Sequence, residues 1–334
     1  MEWARALADR PRAPLGSWPS PLHRAPRLSA ELGIDLWLKR DDVGSIGLAG
    51  NKARKLELTL GAALAEGADC VVTVGAAQSN HCRATAAAAA GLGLEAHLLL
   101  RGDAPAGPPT GNLLLDRLFG AHVHFAGVED WAGLAEALDA LAARLRDEGR
   151  RPVVLPAGGS TPLGALGFAI AYGELLDQLD AAGLPVAHLL HASTSGGTHA
   201  GLALGHALHG RGPRPVGLEV GRLYDDVPAF VAGLANAAAG LLGADVRLAP
   251  GDLLLPDDQI GAGYGAFTEA AGAAIAAAAR LEGVVFDPVY SGKALAGVVA
   301  RARAGELDGP VVLWHTGGAP SIFAAGFSDG ALTA

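Results

Sequence analysis

The sequence predicts an α/β fold built on parallel sheets. From residue 70 onward, short apolar segments alternate with longer segments whose apolar residues recur at helical spacing. The first short segment, residues 70–75 (CVVTVG), has the near-continuous apolar character of a parallel strand that is buried on both faces. Parallel strands need crossover connections, which the intervening helices supply. Because 334 residues exceed the roughly 250 to 300 at which single cores stop growing, we expect two packed units.

The elements follow in two series. In the first we expect an edge strand at 36–40, a helix from the loop at 47–50 to about Gly67, strands at 70–75, 96–100, 122–125 and 153–155, and helices at 84–92, 112–119 and 131–146. Residues 158–164 break this series, with Thr161 as N-cap and Pro162 at the first helical position. In the second we expect helices ending near 180 and at 200–209, 227–242 and 267–281, and strands at 186–192, 216–220 and 310–315.

Composition excludes several classes of protein. Half of the residues are hydrophobic and 18% are charged, which describes a well-buried globular chain. A net charge of −9 argues against a basic face for nucleic acid. Apolar runs such as 270–279 are shorter than a membrane span, and the first residues lack the apolar core of a signal peptide. The two cysteines predict neither a disulfide framework nor a zinc site. We expect a soluble cytoplasmic protein that binds a small molecule, no membrane and no metal.

Lys52 is the leading candidate for covalent chemistry. It follows a glycine-bearing loop and lies in the first turn of a predicted helix, where the helix dipole and burial both lower the pKa of an ammonium group. An uncharged lysine can attack a carbonyl to form a Schiff base. The chain has only four lysines among 25 basic residues, and arginine cannot replace lysine in this reaction. The alternative is a solvated lysine at a helix start.

Two loops between a strand and a helix are candidates for ligand binding. Residues 193–201 (STSGGTHAG) bring backbone amides and hydroxyls to a helix N-terminus, which suits a phosphate; no P-loop lysine or G-x-G-x-x-G pattern is present, so a monophosphate fits best. Ser79 and Asn80 follow the strand at 70–75, at the edge of the sheet where ligands bind. The alternatives are an ordinary tight turn for the first loop and a helix N-cap for the second.

Two late tyrosines and two histidines complete the set of candidates. Tyr290 follows Asp287 on a predicted loop, and Tyr264 lies between glycines as a second, exposed candidate. Such a ring can stack on an aromatic cofactor or move protons, although core packing is the more ordinary role. Among eleven histidines, His81 and His315 stand out because of their neighbours.

These motifs together resemble one family. An imine-forming lysine, a monophosphate loop and a polar cluster at a strand end describe a pyridoxal phosphate site. Five motifs in this order resemble the D-cysteine desulfhydrase and 1-aminocyclopropane-1-carboxylate deaminase family of fold type II pyridoxal phosphate enzymes, related to tryptophan synthase β: 50–57 (GNKARKLE), 78–81 (QSNH), 195–198 (SGGT), 287–290 (DPVY) and 315–318 (HTGG). The similarity runs from residue 21 onward.

The resemblance implies a role for each motif. Lys52 would bind pyridoxal 5'-phosphate covalently, Asn80 would bind its ring hydroxyl, Tyr290 would face the ring and Thr316 would meet the ring nitrogen. Ser79 would receive the substrate carboxylate and assist proton transfer. The cofactor phosphate would be held by Thr194, Ser195, Gly196, Gly197 and Thr198, and the substrate also by Gln78 and His81. We expect a homodimer, with residues 1–48 and 160–334 forming a large cofactor-binding domain and 49–159 a small domain.

Four positions depart from the family pattern or refine it. Ala49 and the alanines at 76–77 replace residues that are usual in the family. Ser291 is a small hydroxyl residue, as in D-cysteine desulfhydrases, where the cyclopropane deaminases typically have glutamate. We therefore expect β-elimination, most simply of D-cysteine to pyruvate, ammonia and hydrogen sulfide, with Lys52 as the base and Tyr290 and Tyr264 as further catalytic candidates.

Other functions stay open at this stage. Cyclopropane ring opening would release 2-oxobutyrate, and a racemase or a lyase for another β-substituted amino acid is also compatible with the motifs. A non-catalytic pyridoxal phosphate binder belongs to a different class. A nicotinamide-dependent dehydrogenase rests only on the glycines at 158–159 and the α/β pattern.

Overall fold

The computed structural model describes residues 2–324 and contains two sheets. The strands are β1 (Leu22–Arg24), β2 (Asp35–Arg40), β3 (Cys70–Gly75), β4 (Glu95–Leu100), β5 (His122–Phe125), β6 (Pro152–Leu155), β7 (His188–Ser193), β8 (Pro215–Glu219) and β9 (Pro310–His315). The helices are α1 (Glu2–Ala8), α2 (Pro26–Leu32), α3 (Asn51–Ala65), α4 (Asn80–Leu92), α5 (Gly111–Leu118), α6 (Trp131–Asp147), α7 (Pro162–Ala182), α8 (Gly197–His209), α9 (Val227–Leu241), α10 (Glu269–Glu282) and α11 (Ser291–Arg303). Short 3-10 helices cover Ile46–Leu48, Ala157–Gly159, Pro250–Asp252 and Ala319–Phe323.

The larger sheet has five strands in the order β1-β2-β9-β7-β8. All its pairs are parallel except β1 with β2. The expectation that residues 36–40 form an edge strand is wrong, because β2 lies between β1 and β9. The three residues of β1, in the proline-rich N-terminal segment, are too few to show a strand pattern in the sequence.

The smaller sheet has four parallel strands in the order β5-β4-β3-β6. The central strand β3 is buried along its whole length, as its apolar run predicts. Val71 packs with Leu56 and Leu60 of α3, whereas Val72 packs with Leu134 of α6, so alternate residues of β3 serve two cores. Helices on both faces are the usual solution for a parallel sheet.

Three helices were not expected from the sequence. These are α1, α2 and α11, and α11 shows the reason most clearly. Its N-cap position is Tyr290, which makes no side-chain cap, while the carboxylate of Asp287 accepts the Ser291 amide from four residues away. Without Ser, Thr, Asp or Asn at the N-cap, the start signal of the helix is missing.

The fold class is confirmed as α/β with helices flanking largely parallel sheets. The strands of the smaller sheet lie within residues 70–155 and those of the larger sheet lie outside that range. The domain boundaries at 48/49 and 159/160 stay a prediction, and residues 1 and 325–334 of the predicted large domain lie outside the described part of the chain. Within residues 2–324, none of the helices combines the length and apolar composition that crossing a bilayer requires.

Candidate active site

A cleft of about 700 Å³ collects most of the predicted site residues. Val74 and Gly75, at the carboxyl end of β3, line one side, and residues at the end of β7 line another. This is the edge at which open α/β sheets bind ligands. Eleven residues of the predicted site line the cleft: Lys52, Ser79, Asn80, His81, Thr194, Ser195, Gly196, Thr198, Tyr264, Tyr290 and Thr316. Gln78 and Gly197 do not.

Lys52 lies at the start of α3, where a glycine allows a close approach between two loops. Gly50 has φ of +60°, and a Cβ there would lie 2.4 Å from the carbonyl oxygen of Thr316. The Asn51 amide donates to the same oxygen at 3.0 Å, which fixes the helix start beside the end of β9. Burial lowers the pKa of Lys52 to about 8, with a smaller contribution from Arg83. No described residue accepts a hydrogen bond from its Nζ, so the amine is available to a ligand.

The start of α4 presents two polar side chains to the cleft. Ser79 is the N-cap and accepts from the Cys82 amide at 3.1 Å, so its own proton stays available for donation. Asn80 accepts at Oδ1 from Nδ2 of Asn112 at 2.9 Å and from Arg83 at 3.5 Å. Because Arg83 can only donate, it fixes the orientation of the Asn80 amide and leaves the NH₂ group available. Ser79 therefore caps α4, as the alternative interpretation expected, and it also lines the cleft.

Gln78 lies beside this loop but outside the cleft lining, so the expected contact with a substrate is not supported. Its Nε2 donates to the Thr110 carbonyl at 3.0 Å, and its Oε1 accepts from the Asn112 amide at 2.8 Å. Both ends of the side-chain amide are therefore used to hold the start of α5 against the loop.

The two histidines that stood out in the sequence have different environments. His81 lines the cleft, shares a hydrogen bond of 2.9 Å with Thr73, and has a buried Nδ1 without a partner in the described chain. Burial, followed by the charges of the nearby lysines, holds the pKa of His81 well below its usual value, so the ring is neutral. His315 is buried, stacks on Phe286 at 4.0 Å between ring centroids, and contacts the Val285 carbonyl, which is a structural role.

The loop after β7 forms an anion cradle at the start of α8. Gly196 has φ of +76°, which turns the chain into the helix, and the first amides of a helix have no carbonyl partner within it. Ser160 completes the cradle from behind: its hydroxyl donates to Ser195 Oγ at 2.9 Å and accepts from the Gly197 amide at 3.2 Å. Gly197 therefore supports the cradle rather than lining the cleft.

Lys55 adds a buried amine beside this cradle. Its Nζ donates to the Gly158 carbonyl at 3.1 Å, and a Cβ built on Gly197 would lie 2.7 Å from that Nζ. No described carboxylate pairs with Lys55, and burial holds its pKa well below the usual value. A phosphate in the cradle would supply the missing anion, so these residues fit a cofactor that carries one.

Tyr264 and Tyr290 form a hydroxyl pair in the cleft. Their oxygens are 2.5 Å apart, and burial raises the pKa of both groups, that of Tyr290 well above its usual value. Tyr264 is half-buried rather than exposed, because Trp131 packs edge-on against it at 5.9 Å. The buried carboxylate of Asp287 holds Tyr290 in place by accepting its amide at 2.9 Å.

Thr316 offers a hydroxyl to the cleft from the loop after β9. It is 7% exposed, and its hydroxyl has no hydrogen-bond partner within residues 2–324. None of the described residues that line the cleft is a carboxylate. Ser291 lies outside the lining, since its hydroxyl donates to Asp287 at 2.6 Å. The donor set therefore fits a ring nitrogen that meets a neutral hydroxyl.

Residues at this site that were not predicted from the sequence include Asn51, Lys55, Trp131 and Ser160. Lys55 had a usable signal, because it lies three residues after Lys52 and so shares its helix face. Asn51 directly precedes Lys52, whereas Trp131 and Ser160 become neighbours of the cleft only through packing between distant segments.

Comparison with known proteins agrees with this geometry. Residues 14–317 match the family described as pyridoxal-phosphate dependent enzymes. The chain therefore belongs to that family, and it is a pyridoxal phosphate-dependent lyase of fold type II, from a group that acts on small amino acids.

Particular relatives refine the picture. D-cysteine desulfhydrase from Klebsiella pneumoniae is 41% identical over 325 residues, which cover 95% of this chain and 97% of the relative. A protein provisionally named 1-aminocyclopropane-1-carboxylate deaminase, from Pyrococcus horikoshii, is 41% identical over 317 residues, with 95% and 94% covered. A crystal structure of an ACC deaminase homologue has a TM-score of 0.90 and 39% identity, with 99% of this chain and 98% of that chain covered.

Proposed function

We propose that this protein eliminates the β substituent of a small amino acid, with D-cysteine as the favoured substrate and pyruvate, ammonia and hydrogen sulfide as products. The observation that carries the proposal is the half-buried Lys52 amine, which has no hydrogen-bond partner in the described chain and shares a cleft with an anion cradle. The D-cysteine desulfhydrase relative supports the choice of substrate.

The cofactor would be held by residues that line the cleft or lie directly behind its lining. Thr194, Ser195, Gly196 and Thr198 would surround the phosphate with Gly197 behind them, and the Lys55 amine would donate to the phosphate from beside the cradle. Asn80 would donate its NH₂ group to the ring hydroxyl, Thr316 would meet the ring nitrogen and Tyr290 would face the ring. When bound, pyridoxal phosphate supplies an electron-withdrawing ring that stabilises negative charge at the substrate Cα.

Lys52 acts both as the attachment point and as the base. With its pKa lowered to about 8, an appreciable fraction of the amine is neutral near pH 7.5, and the neutral form can take the Cα proton. Ser79 binds the substrate carboxylate by donating its hydroxyl proton, and the positive end of α4 favours the same anion. His81, whose pKa is lowered by burial, is neutral and lines the same cleft, where it would contact the substrate.

Two features favour elimination over reactions that need a long-lived carbanion. Thr316 is uncharged and no described carboxylate lines the cleft, so the ring nitrogen of a bound cofactor would have no negatively charged partner. A weak electron sink suits a reaction in which the leaving group departs as soon as the proton is removed.

Cyclopropane ring opening is the second candidate. It requires a nucleophile or base that acts away from Cα, and the Tyr264–Tyr290 pair places two hydroxyls in the cleft at 2.5 Å from each other. The relative from Pyrococcus horikoshii supports this alternative. A lyase for another β-substituted amino acid, a racemase and a non-catalytic cofactor binder are the further outcomes that the experiment distinguishes.

The test is keto-acid release from a panel of D-cysteine, L-cysteine, D-serine, 3-chloro-D-alanine and 1-aminocyclopropane-1-carboxylate. We expect pyruvate from D-cysteine at the highest kcat/KM, and no product from the Lys52→Ala variant. Faster release of 2-oxobutyrate from the cyclopropane acid would replace the proposal by the second candidate. Visible absorbance of bound cofactor without any keto acid or racemised product would identify a non-catalytic binder.

We also propose a cytoplasmic homodimer, in which residues 1–48 and 160–334 form the large domain and 49–159 the small one. The family resemblance and the distribution of the strands support the assembly and the domain division, and the two buried free cysteines suit a reducing compartment. Light scattering after size exclusion tests the assembly: a mass near twice 33.5 kDa is expected, and a monomer would refute it.

A further inference from the structure

Two histidines and a carboxylate converge on the smaller sheet, outside the cleft. Glu95 and His97 lie two residues apart on β4, so their side chains are on the same face of the sheet. His122 on β5 is the direct cross-strand partner of His97. Glu95 and His122 are the first residues of their strands, whereas the cleft lies at the carboxyl ends. The cluster is therefore separate from the proposed chemistry.

The distances within the cluster are close to those of a metal site. Glu95 Oε1 lies 3.0 Å from His122 Nε2 and 3.6 Å from His97 Nε2, and one potential ligand atom from each residue lies within 4.8 Å of the others. Zinc–nitrogen and zinc–oxygen bonds of roughly 2.0 to 2.2 Å place tetrahedral ligand atoms about 3.3 to 3.5 Å apart. A small adjustment of the exposed His122 ring would bring all three atoms to one ion.

His97 gives an independent indication of a ligand. Its residue surface is only 7% exposed, and neither ring nitrogen has a hydrogen-bond partner within residues 2–324. Buried polar nitrogens normally have partners, because leaving them without one costs free energy. A metal ion bound at Nε2 would give one of these two nitrogens a partner.

The surroundings fit a transition metal better than calcium or magnesium. Arg150 pairs with Glu95 Oε2, which orients the carboxylate and leaves Oε1 for the ion. Two imidazole nitrogens and one carboxylate oxygen suit zinc and its neighbours, whereas calcium and magnesium prefer oxygen ligands alone. The side chain of His122 is 52% exposed, so ions can reach the site from solvent.

We propose that Glu95, His97 and His122 bind one divalent transition-metal ion of the zinc type, with water as the fourth ligand. The ion joins β4 to the edge strand β5 and thereby stabilises the smaller sheet. The proposal is independent of the proposed enzymatic reaction, and it adds a metal site where the sequence predicted none.

The experiment uses untagged holoenzyme without substrate. Zn²⁺ is titrated by calorimetry, and Co²⁺ is added in parallel so that its visible d–d absorption reports the coordination geometry. We expect one saturable site per chain, a tetrahedral Co²⁺ spectrum, and a Tm that rises with Zn²⁺. The His122→Ala variant, which changes an exposed side chain, should bind at least tenfold more weakly, and Glu95→Gln should lose affinity in the same direction.

His188→Ala is the matched control. His188 is also paired with a carboxylate, Asp308 at 2.9 Å, but has no second histidine in its cluster. Zinc affinity in this variant should equal that of the wild type. The absence of saturable Zn²⁺ binding in the wild type, or an affinity that is unchanged in both His122→Ala and Glu95→Gln, would overturn the proposal.

Discussion

Helix α3 carries cationic side chains into two buried environments that differ in how the charges are paired. Arg54 donates to both oxygens of Asp41, at 2.8 and 2.9 Å, and also to Glu174. On the same helix Lys52 has no hydrogen-bond partner in the described chain, and Lys55 has a single carbonyl. On this helix, Arg54 is held in ion pairs within the fold, whereas Lys52 and Lys55 have no carboxylate partner in the described chain.

Lys39 of β2 belongs to the paired environment. Its Nζ donates to the Ser20 carbonyl and to Gln178, each at 2.7 Å, and it forms an ion pair with Glu174. A buried amine or guanidinium that is paired with a carboxylate stays charged and stabilises the fold. An unpaired buried amine either loses its proton or becomes charged when an anionic ligand binds beside it. Pairing with a carboxylate therefore separates Lys39 from the two lysines at the cleft.

The largest expected effect is on turnover in Lys52→Ala. Losing the base alone should lower kcat by about 10² to 10⁴-fold, and loss of the attachment point adds to this. The Tm should stay near that of the wild type, because Nζ makes no hydrogen bond to the described protein. Keto-acid release and calorimetry measure the two quantities. If Lys52→Ala turned over substrate within tenfold of the wild-type rate, Lys52 would not be the catalytic lysine, and the contrast between paired and unpaired cations on α3 would fail.

The next effect is on stability in Arg54→Met. Removing this guanidinium leaves Asp41 buried without its partner, which should cost about 3 to 5 kcal/mol in the free energy of unfolding. Urea unfolding measures it, and turnover per folded molecule should persist. Arg24→Met removes an exposed ion pair with Asp35 and is the matched control, with an expected cost of about 0 to 1 kcal/mol. Equal costs for the two variants would refute the interpretation.

A smaller effect is expected on cofactor affinity in Lys55→Met. A hydrogen bond to a charged group contributes about 1.5 to 3 kcal/mol, so the dissociation constant of pyridoxal phosphate should rise about 10- to 100-fold. The cofactor-free protein should lose no stability, because the variant removes a buried amine that has no counter-ion in the described chain. Lys39→Met should bind the cofactor normally once folded. An unchanged affinity in Lys55→Met would remove this lysine from the phosphate site.

The smallest effect concerns Asp116 of α5, an unpaired buried acid. Neither of its carboxylate oxygens has a partner in residues 2–324, and burial raises its pKa to about 8. The unfolded chain releases this proton near pH 4, at the ordinary pKa of an aspartate. Wild-type stability should therefore fall as the pH rises from about 4 to about 8, since only the folded state still holds the proton.

Asp116→Asn has no proton to hold. The variant should be more stable than the wild type by at least about 1 kcal/mol at pH 8, because unfolding of the wild type there releases the Asp116 proton, and the difference should vanish near pH 4. Thermal unfolding at both pH values measures this. A difference that is independent of pH would mean that Asp116 has an ordinary pKa.

The sequence predicted most of the fold because most elements carry local signals. The run at β3 and the Thr161–Pro162 start of α7 were both read correctly, and the Thr161 hydroxyl accepts the Gly164 amide as an N-cap should. The start of α11 was missed because its cap comes from Asp287, outside the N-cap position. For the candidate site, the sequence named the lysine and the loops, but it could not exclude Gln78, whose side chain contacts Asn112, 34 residues away.

What the sequence determined by itself is local: the order of helices and strands, a lysine at a helix start, and small residues where an anion can approach backbone amides. The tertiary structure decided which polar groups are paired. It turned the Asn80 amide toward the cleft, brought Tyr264 to Tyr290, and placed His97 opposite His122. These pairings depend on strand order and on packing between segments far apart in the chain, and no periodicity or spacing within one segment encodes them.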